Sequence, residues 1–565
     1  MRRVLPAAIA LVALGALGAV QASRAGASFG FDLEQTQPPL SHTAPVISDP
    51  HTPRLARRVI LVIVDGLRYD RSFELPFLDE LRRRGLDLEA QSAYPSWSRP
   101  NYVNILTGVP PLASGVRTNH HTAPVLLDSL MDRVHAAGLA SAYASDYGLI
   151  PALFLRPTRA LPAPVPDDED DDTDETALDL DEVIYGGSPR APDAPLVSPF
   201  DDSRYAPWPG GFAESGEALV AGNAELVVLL VGAVDAAGHA HGANSPAYRE
   251  AAEQVDRALA RVLAKVDLAQ DAVIITADHG HTGRGGHGGT EPEVLSVPLV
   301  MAGAGIAPSG SVTDATLSDL APTVAALLGI PAPGHGLGHT LVGALALDAA
   351  AAARRVQADN VRLSHTTAVV AAATAAAESR LQAHRTARVA LVCGGALLAG
   401  LLALFLVRRR VMRFAPRLLV AGVPGFFLVY YALIAVFGER FSPSLVPADG
   451  TLAGALVKYG IAAMLAQLAA SLWALRDQGS LSDRLAAANG LAWLGLTLAM
   501  VPAGLLWAVF PPPYAIVPGP AWLVLIPATL VSVACIAANV ALTLVVEVIV
   551  FAARALYRAP GMRST

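Results

Sequence analysis

Hydrophobic positions divide the chain into two differently patterned halves. Between about Arg57 and Gly343, short continuous apolar runs alternate with amphipathic stretches. The runs are "VILVIV" from Val59, "LVVLLVG" from Leu226, "AVIITA" from Ala272 and "VPLVMAG" from Val297. Between them lie segments such as "PFLDELRRRG" and "SPAYREAAEQVDRALARVLAKVD", which have helical periodicity. Strands apolar on both faces predict an α/β domain, a mainly parallel sheet between helices, over residues 57–343. Beyond it, residues 345–388 are Ala-rich and predict a helical stalk. Five apolar stretches of bilayer length come next: Val389–Val407, Leu418–Phe437, Leu452–Leu475, Leu485–Phe510 and Ala521–Ala553. They predict a five-helix transmembrane domain over residues 389–553, with residues 554–565 as a tail. At the other end, "MRRVLPAAIALVALGALGAVQAS" has a basic start, an apolar stretch and small residues at its close, so residues 1–22 read as a signal peptide or a signal anchor. The later spans favour the anchor, and either reading exports the α/β domain.

Charge orients this layout. The links "RRRVMRFAPR" and "RALYRAPGMRST" are basic, whereas "GERFSPSLVPADGT" and "PPPYAIVPGP" are nearly free of positive charge. The positive-inside rule puts the basic links and the C-terminus in the cytoplasm. The globular domain then faces the periplasm or exterior of a bacterial-type inner or plasma membrane. A mean hydropathy of +0.43 fits a partly embedded chain, and a net charge of −8 offers no footprint for nucleic acid. Both cysteines, Cys393 and Cys535, fall in apolar runs, which excludes a Cys-based metal site. The acidic stretch at residues 166–182 reads as a solvated, disordered loop. Lys458, Asn539 and Glu547 interrupt the spans; such groups can handle lipid, but Lys458 is within reach of an interface by snorkelling and Glu547 is near the cytoplasmic end, which is the plainer reading.

The candidate chemistry sits where apolar runs end. "VILVIVDG" ends on Asp65, "LVVLLVGAVDAAGHAHG" leads to Asp235 and His239, and "AVIITADHG" ends on Asp278 and His279 with His287 following in "GGHGG". Ligands of open α/β sheets bind beyond the carboxyl ends of the strands, so these groups are expected to converge. Aspartates after strands are also turn formers and caps, which is the plainer reading of each alone. Together, Asp and His without Cys suit Zn²⁺, with Mn²⁺ as a second choice, and six side chains exceed what one zinc ion takes. Two divalent ions form the clamp suited to displacement at phosphorus. A nucleophile is expected beside Asp65, and "YPSWSRPNYVNILTG" offers Ser98 at the start of a helix. There it is either an N-cap or, beside a metal, an activated hydroxyl with the Asn101 amide near the phosphoryl oxygens.

The motifs "VDGLRYD", "SRPNYVNILTG", "DAAGH" and "ADHG…GGHGG", in this order, resemble the alkaline phosphatase superfamily. The nearest branch in pattern is that of type I phosphodiesterases/nucleotide pyrophosphatases and the ethanolamine-phosphate transferases of GPI-anchor synthesis. "LSDLAPTVAALLGIPAPGHGLG" is similar to the segment that closes the catalytic domain of those transferases. The resemblance implies Ser98 as a phosphorylated nucleophile and one zinc held by Asp65, Ser98, Asp278 and His279. It implies a second ion on Asp235, His239 and His287, with Asn101 touching the transferred group. No family ligand maps onto His241 or His281, which are expected to be outer or solvent-facing. The phosphodiesterases usually carry Thr as nucleophile, and the Ser-Arg-Pro here is closer to one transferase type. A formylglycine setting is missing, since Ser96 is followed by Trp97 and Ser98 rather than by x-Pro-x-Arg, which disfavours sulfate esters. The expectation is a membrane-anchored two-metal enzyme moving a phosphoethanolamine-type group between phospholipid or glycolipid substrates. Rivals are a phosphodiesterase/nucleotide pyrophosphatase that hydrolyses soluble diesters, and a non-catalytic lipid-binding or transport protein.

Overall fold

The computed structural model describes residues 3–35, 38–121, 123–145, 153–154, 183–188, 207–208, 211–414, 416, 423–445, 451–476 and 478–557. The acidic stretch 166–182, the first residues of the expected span Leu418–Phe437 and the end of the tail lie outside them. Two compact units emerge: residues 33–376 with 446–451, and residues 1–32, 377–445 and 452–565.

The first unit is built on a nine-stranded sheet of order β5-β4-β3-β6-β1-β7-β8-β2-β9. Its strands are β1 (Arg58–Val64), β2 (Gly85–Gln91), β3 (Ser141–Ser145), β4 (Val183–Ser188), β5 (Pro207–Trp208), β6 (Leu226–Val231), β7 (Asp271–Thr276), β8 (Ser296–Gly303) and β9 (Ala315–Thr316). The central four, β3, β6, β1 and β7, run parallel. Every residue of β1, β6 and β7 is buried, as their unbroken apolar runs require. Strand β8 runs antiparallel to β7, and β2 antiparallel to β8, so β2 ends at the same rim as the parallel strands. This α/β unit with its mostly parallel sheet is the fold class read from the sequence.

The second unit is helical. Among the described residues, five helices are long and apolar enough to cross a membrane, beginning with Val4–Ala27 near the N-terminus. Of the five stretches expected after the stalk, four coincide largely with the others: Ala349–Arg408, Leu452–Leu475, Leu481–Val509 and Pro520–Val550. The fifth is the shorter described helix Val423–Phe437, of 15 residues. Val4, Ala8 and Leu11 are buried in one apolar cluster with Leu485, Leu491 and Ala537. Asn489 ties this N-terminal helix in place, its amide donating to the carbonyls of Val4 and Val411, each at 3.1 Å. Glu547 is buried and ion-paired with the equally buried Arg484, whereas Lys458 lies on an exposed helix face. Cys393 and Cys535 are free thiols.

Candidate metal centre and active site

The carboxyl ends of β1, β6 and β7 do what parallel neighbours must: they deliver the residues beyond them to one rim. Asp65 follows β1, and Asp278 and His279 follow β7. After β6 the chain turns at once into a helix, Ala233–His241, which carries Asp235 and His239 one turn apart on one face. The loop after β7 returns with His287. Two groups of potential ligands result: Asp65, Asp278 and His279, and Asp235, His239, His281 and His287. Within each group, one ligand atom per residue lies within 4.8 Å of the others. The groups are adjacent, since His279 Nε2 is 4.0 Å from Asp235 Oδ1 and the rings of His279 and His287 stack at 3.7 Å.

The end of β2 brings in the serine. Residues 92–97 cross the rim, and Ser98 opens the helix Ser98–Thr107. Trp97, not Ser98, occupies the N-cap, and its own side chain makes no capping hydrogen bond. The Ser98 hydroxyl instead sits 3.1 Å from His279 Nε2, in the first ligand group. Hydrogen bonds from the surroundings fix the other ligands. Tyr102, one turn along the same helix, donates its hydroxyl to Asp65 Oδ2. The Gly66 N–H donates to Asp278 Oδ1 at 3.2 Å. His279 Nδ1 faces the Gly280 carbonyl at 3.1 Å and His287 Nδ1 the Ser96 carbonyl at 2.9 Å, so both rings present Nε2 to the centre. Ser96 also donates to the Gly289 carbonyl and accepts from the Gly288 N–H, which straps the His287 loop to the serine loop. Gly288 has φ +105°, and a Cβ there would collide with Trp97 Nε1.

Electrostatics sharpen the picture. Asp65, Asp235, Asp278, His279, His281 and His287 are all at most 4% exposed. Burial pushes the Asp278 carboxyl up, and its Oδ2 has no hydrogen-bond donor. Burial acts the same way on Asp235, but the neighbouring His239 and His281 outweigh it and hold that carboxyl well below the usual range. Burial pushes His279, His281 and His287 down, towards the neutral form that ligates metal. Histidines stand within ion-pair distance of all three carboxylates. Three buried carboxylates among neutral imidazoles form a donor set that fits divalent cations.

Of the two placements expected for His281, the solvent-facing one does not hold: the ring is fully buried, and its Nε2 lies 2.5 Å from Asp235 Oδ1. It reaches there because residue 238 is Gly, where a Cβ would meet His281 Cδ2 at 2.6 Å. Asn101 has a different task from touching a transferred group. Its amide nitrogen donates to the Ala93, Pro95 and Trp97 carbonyls and its oxygen accepts from the Ala93 N–H, so it clamps the turn that presents Ser98. The carboxamide beside Ser98 is that of Asn119, whose oxygen accepts from the Arg99 N–H at 3.1 Å. His241 is exposed, as expected.

Parts of this chain are similar to known proteins. A model of the family "Type I phosphodiesterase / nucleotide pyrophosphatase" matches residues 59–285. GPI ethanolamine phosphate transferase 1 of Emericella nidulans is 27% identical over 316 residues, 49% of this chain and 31% of that protein. The 2,3-bisphosphoglycerate-independent phosphoglycerate mutase of Ruegeria pomeroyi is 36% identical over 160 residues, 27% of this chain and 30% of that protein. The chain thus spans about a third of the length of the curated relatives it matches. Among solved structures, wild-type alkaline phosphatase PafA is similar with a TM-score of 0.36 at 15% identity, covering 52% of this chain and 99% of PafA. The matched stretch contains Asp65, Ser98, Asp235, His239, Asp278 and His279 and stops two residues short of His287; over it the chain is similar to the type I phosphodiesterase / nucleotide pyrophosphatase family, the branch to which its motifs point.

Proposed function

We propose that this chain is a membrane-anchored phosphoryl-transfer enzyme whose α/β unit acts on the outer face of the membrane. The observation that carries the reading is the Ser98 hydroxyl set 3.1 Å from His279 inside a rim of three buried carboxylates paired with imidazoles. Asp65, Ser98, Asp278 and His279 would hold one divalent ion and Asp235, His239 and His287 the other, with His281 against Asp235; zinc suits the donors best. When bound, such ions lower the pKa of a serine hydroxyl and stabilise charge on a phosphoryl group and its leaving oxygen.

The chain's own residues supply orientation. Ser98 Oγ attacks phosphorus, a bond forms from Oγ to phosphorus, and the bond to the leaving alcohol breaks. The oxygen of an acceptor hydroxyl, or of water, then attacks the phosphoserine and frees Ser98. Asn101 and Ser96 hold the two loops that face each other across this point, and Tyr102 keeps Asp65 turned inward. Burial of the cluster excludes bulk water and strengthens each of these dipoles.

For the group moved, the relatives named GPI ethanolamine phosphate transferase 1 favour transfer of a phosphoethanolamine-type group from a phospholipid donor to a lipid or glycan acceptor. The hydrolytic reading is favoured by the family model's own description. The N-terminal helix, buried against its neighbours, favours a retained anchor over a cleaved signal. Purified full-length protein incubated with phosphatidylethanolamine, with and without a glycan or lipid acceptor, separates the readings through diacylglycerol release. Acceptor-dependent release that disappears in Ser98→Ala supports transfer. Turnover of a nitrophenyl phosphodiester without acceptor, as the dominant activity, supports the hydrolase. Full activity in Ser98→Ala would end both.

A further inference from the structure

Two arginines of the helix Ala349–Ala383 are buried within the α/β unit under conditions that leave a charge unmatched. Arg355 and Arg362 are each 2% exposed, and a seven-residue spacing puts them two turns apart on one helix face. Arg355 donates through Nε to Thr52 Oγ1 at 2.8 Å and through Nη1 to the Ile330 carbonyl at 2.7 Å, while its buried Nη2 has no acceptor. Arg362 donates through Nη2 to the Gly338 carbonyl at 2.8 Å and to Asp359 Oδ1 at 2.6 Å, and its buried Nη1 has none. The Asp359 carboxylate is fully engaged, since Oδ2 accepts the Thr340 N–H. The next acid, Asp49, is half exposed and turned to His51, and it acts on Arg355 through its field without a hydrogen bond. Two buried guanidinium groups thus share one buried carboxylate.

Both arginines line one small, partly open cavity together with Asp359, Val46, Ser48, Pro50 and Ala332, with a volume of about 10 Å³. That is room for roughly one water-sized particle. A water would satisfy an N–H but leave the surplus positive charge in place, and an uncompensated buried charge is expensive. We propose that this cavity binds a small inorganic anion, chloride by its size, between Arg355 and Arg362, and so fastens the start of the Ala349–Ala383 helix to the α/β unit. The site shares no residue with the Ser98 rim.

Thermal unfolding of the full-length protein in detergent, in sodium chloride against sodium gluconate at equal ionic strength, tests this. Wild type is expected to melt about 3 °C or more higher in chloride. Arg355→Met is expected to melt at the same temperature in both salts, and in gluconate no lower than wild type. Equal melting of wild type in both salts overturns the proposal and leaves only an ordered water. A chloride effect that persists in Arg355→Met also overturns it, because halide is then acting elsewhere, such as on a metal. Stabilisation by sulfate or phosphate but not chloride overturns the assignment of the anion. Should Arg355→Met fail to fold, bromide-soaked crystals of wild type decide: an anomalous peak in contact with both guanidinium groups is expected, and its absence refutes the site.

Discussion

The two ends of β7 carry the same residue in opposite circumstances. Asp271 opens the strand and Asp278 lies just past its close, and both are 0% exposed. Asp271 is gripped by Arg57 through Oδ1 and Oδ2, each at 3.0 Å, and by Arg58 at 2.9 Å. Asp278 has a single backbone N–H at 3.2 Å on Oδ1 and neighbours of its own sign in Asp65 and Asp235. Burial alone therefore says nothing about role. A carboxylate matched by arginines holds the fold together; one left among carboxylates and neutral imidazoles raises the free energy of the fold until a cation arrives. The helical unit repeats the first pattern, with buried Glu547 matched to buried Arg484.

Breaking the comparison at its functional end has the largest expected effect. Asp278→Asn should lower phosphodiester turnover by about a thousandfold or more, the loss of several kcal/mol of charge stabilisation. In chelator-treated protein the same variant should melt no lower than wild type, because it removes a like charge. At the structural end, Asp271→Asn leaves Arg58 buried without its partner and should cost about 3–5 kcal/mol in stability, read by thermal or denaturant unfolding, while the folded fraction keeps its metal content. Exchanging the two outcomes would overturn the distinction. His281→Gln should weaken metal affinity of the second group about ten- to a hundredfold, as expected for an orienting partner of a ligand, measured by competition with a chelator dye. Ser96→Ala should cost about 1–2 kcal/mol in stability, since it releases the strap on the His287 loop and leaves the buried Gly288 N–H unmatched. Arg57→Ala, at the exposed side of the Asp271 pair, should be the mildest of these changes in unfolding experiments, because Arg58 remains.

Legibility in the sequence obeys the same physics. Strands β1, β6 and β7 are buried on both faces, so their identity is written in unbroken apolar runs. The groups just beyond them had to meet once the strands were parallel neighbours. Ser98 was legible through its setting, although nothing in the pattern says that Trp97 would take the N-cap. The antiparallel β8 was not legible, because a doubly buried strand reads the same in either direction. His281 was legible only as outer or solvent-facing, because its approach depends on a missing side chain in another element, Gly238, and no local pattern couples the two. Asn101 and Asn119 show the same limit: sequence proximity to Ser98 favoured the first, but the turn at residues 93–97 consumes its amide and places the second beside the Arg99 N–H. Asp271 and Asp278 are told apart only by Arg57 and Arg58, whose side chains reach a neighbouring strand.

The central claim is that the rim is built for two ions, one on each ligand group. It is tested most directly by elemental analysis of purified full-length protein and of two variants, Asp278→Asn and Asp235→Asn. The account predicts about two divalent ions per wild-type chain and about one in each variant, as the two-ion phosphoryl-transfer arrangement requires. Wild type consistently without such ions, or both variants retaining the full wild-type content, would contradict it.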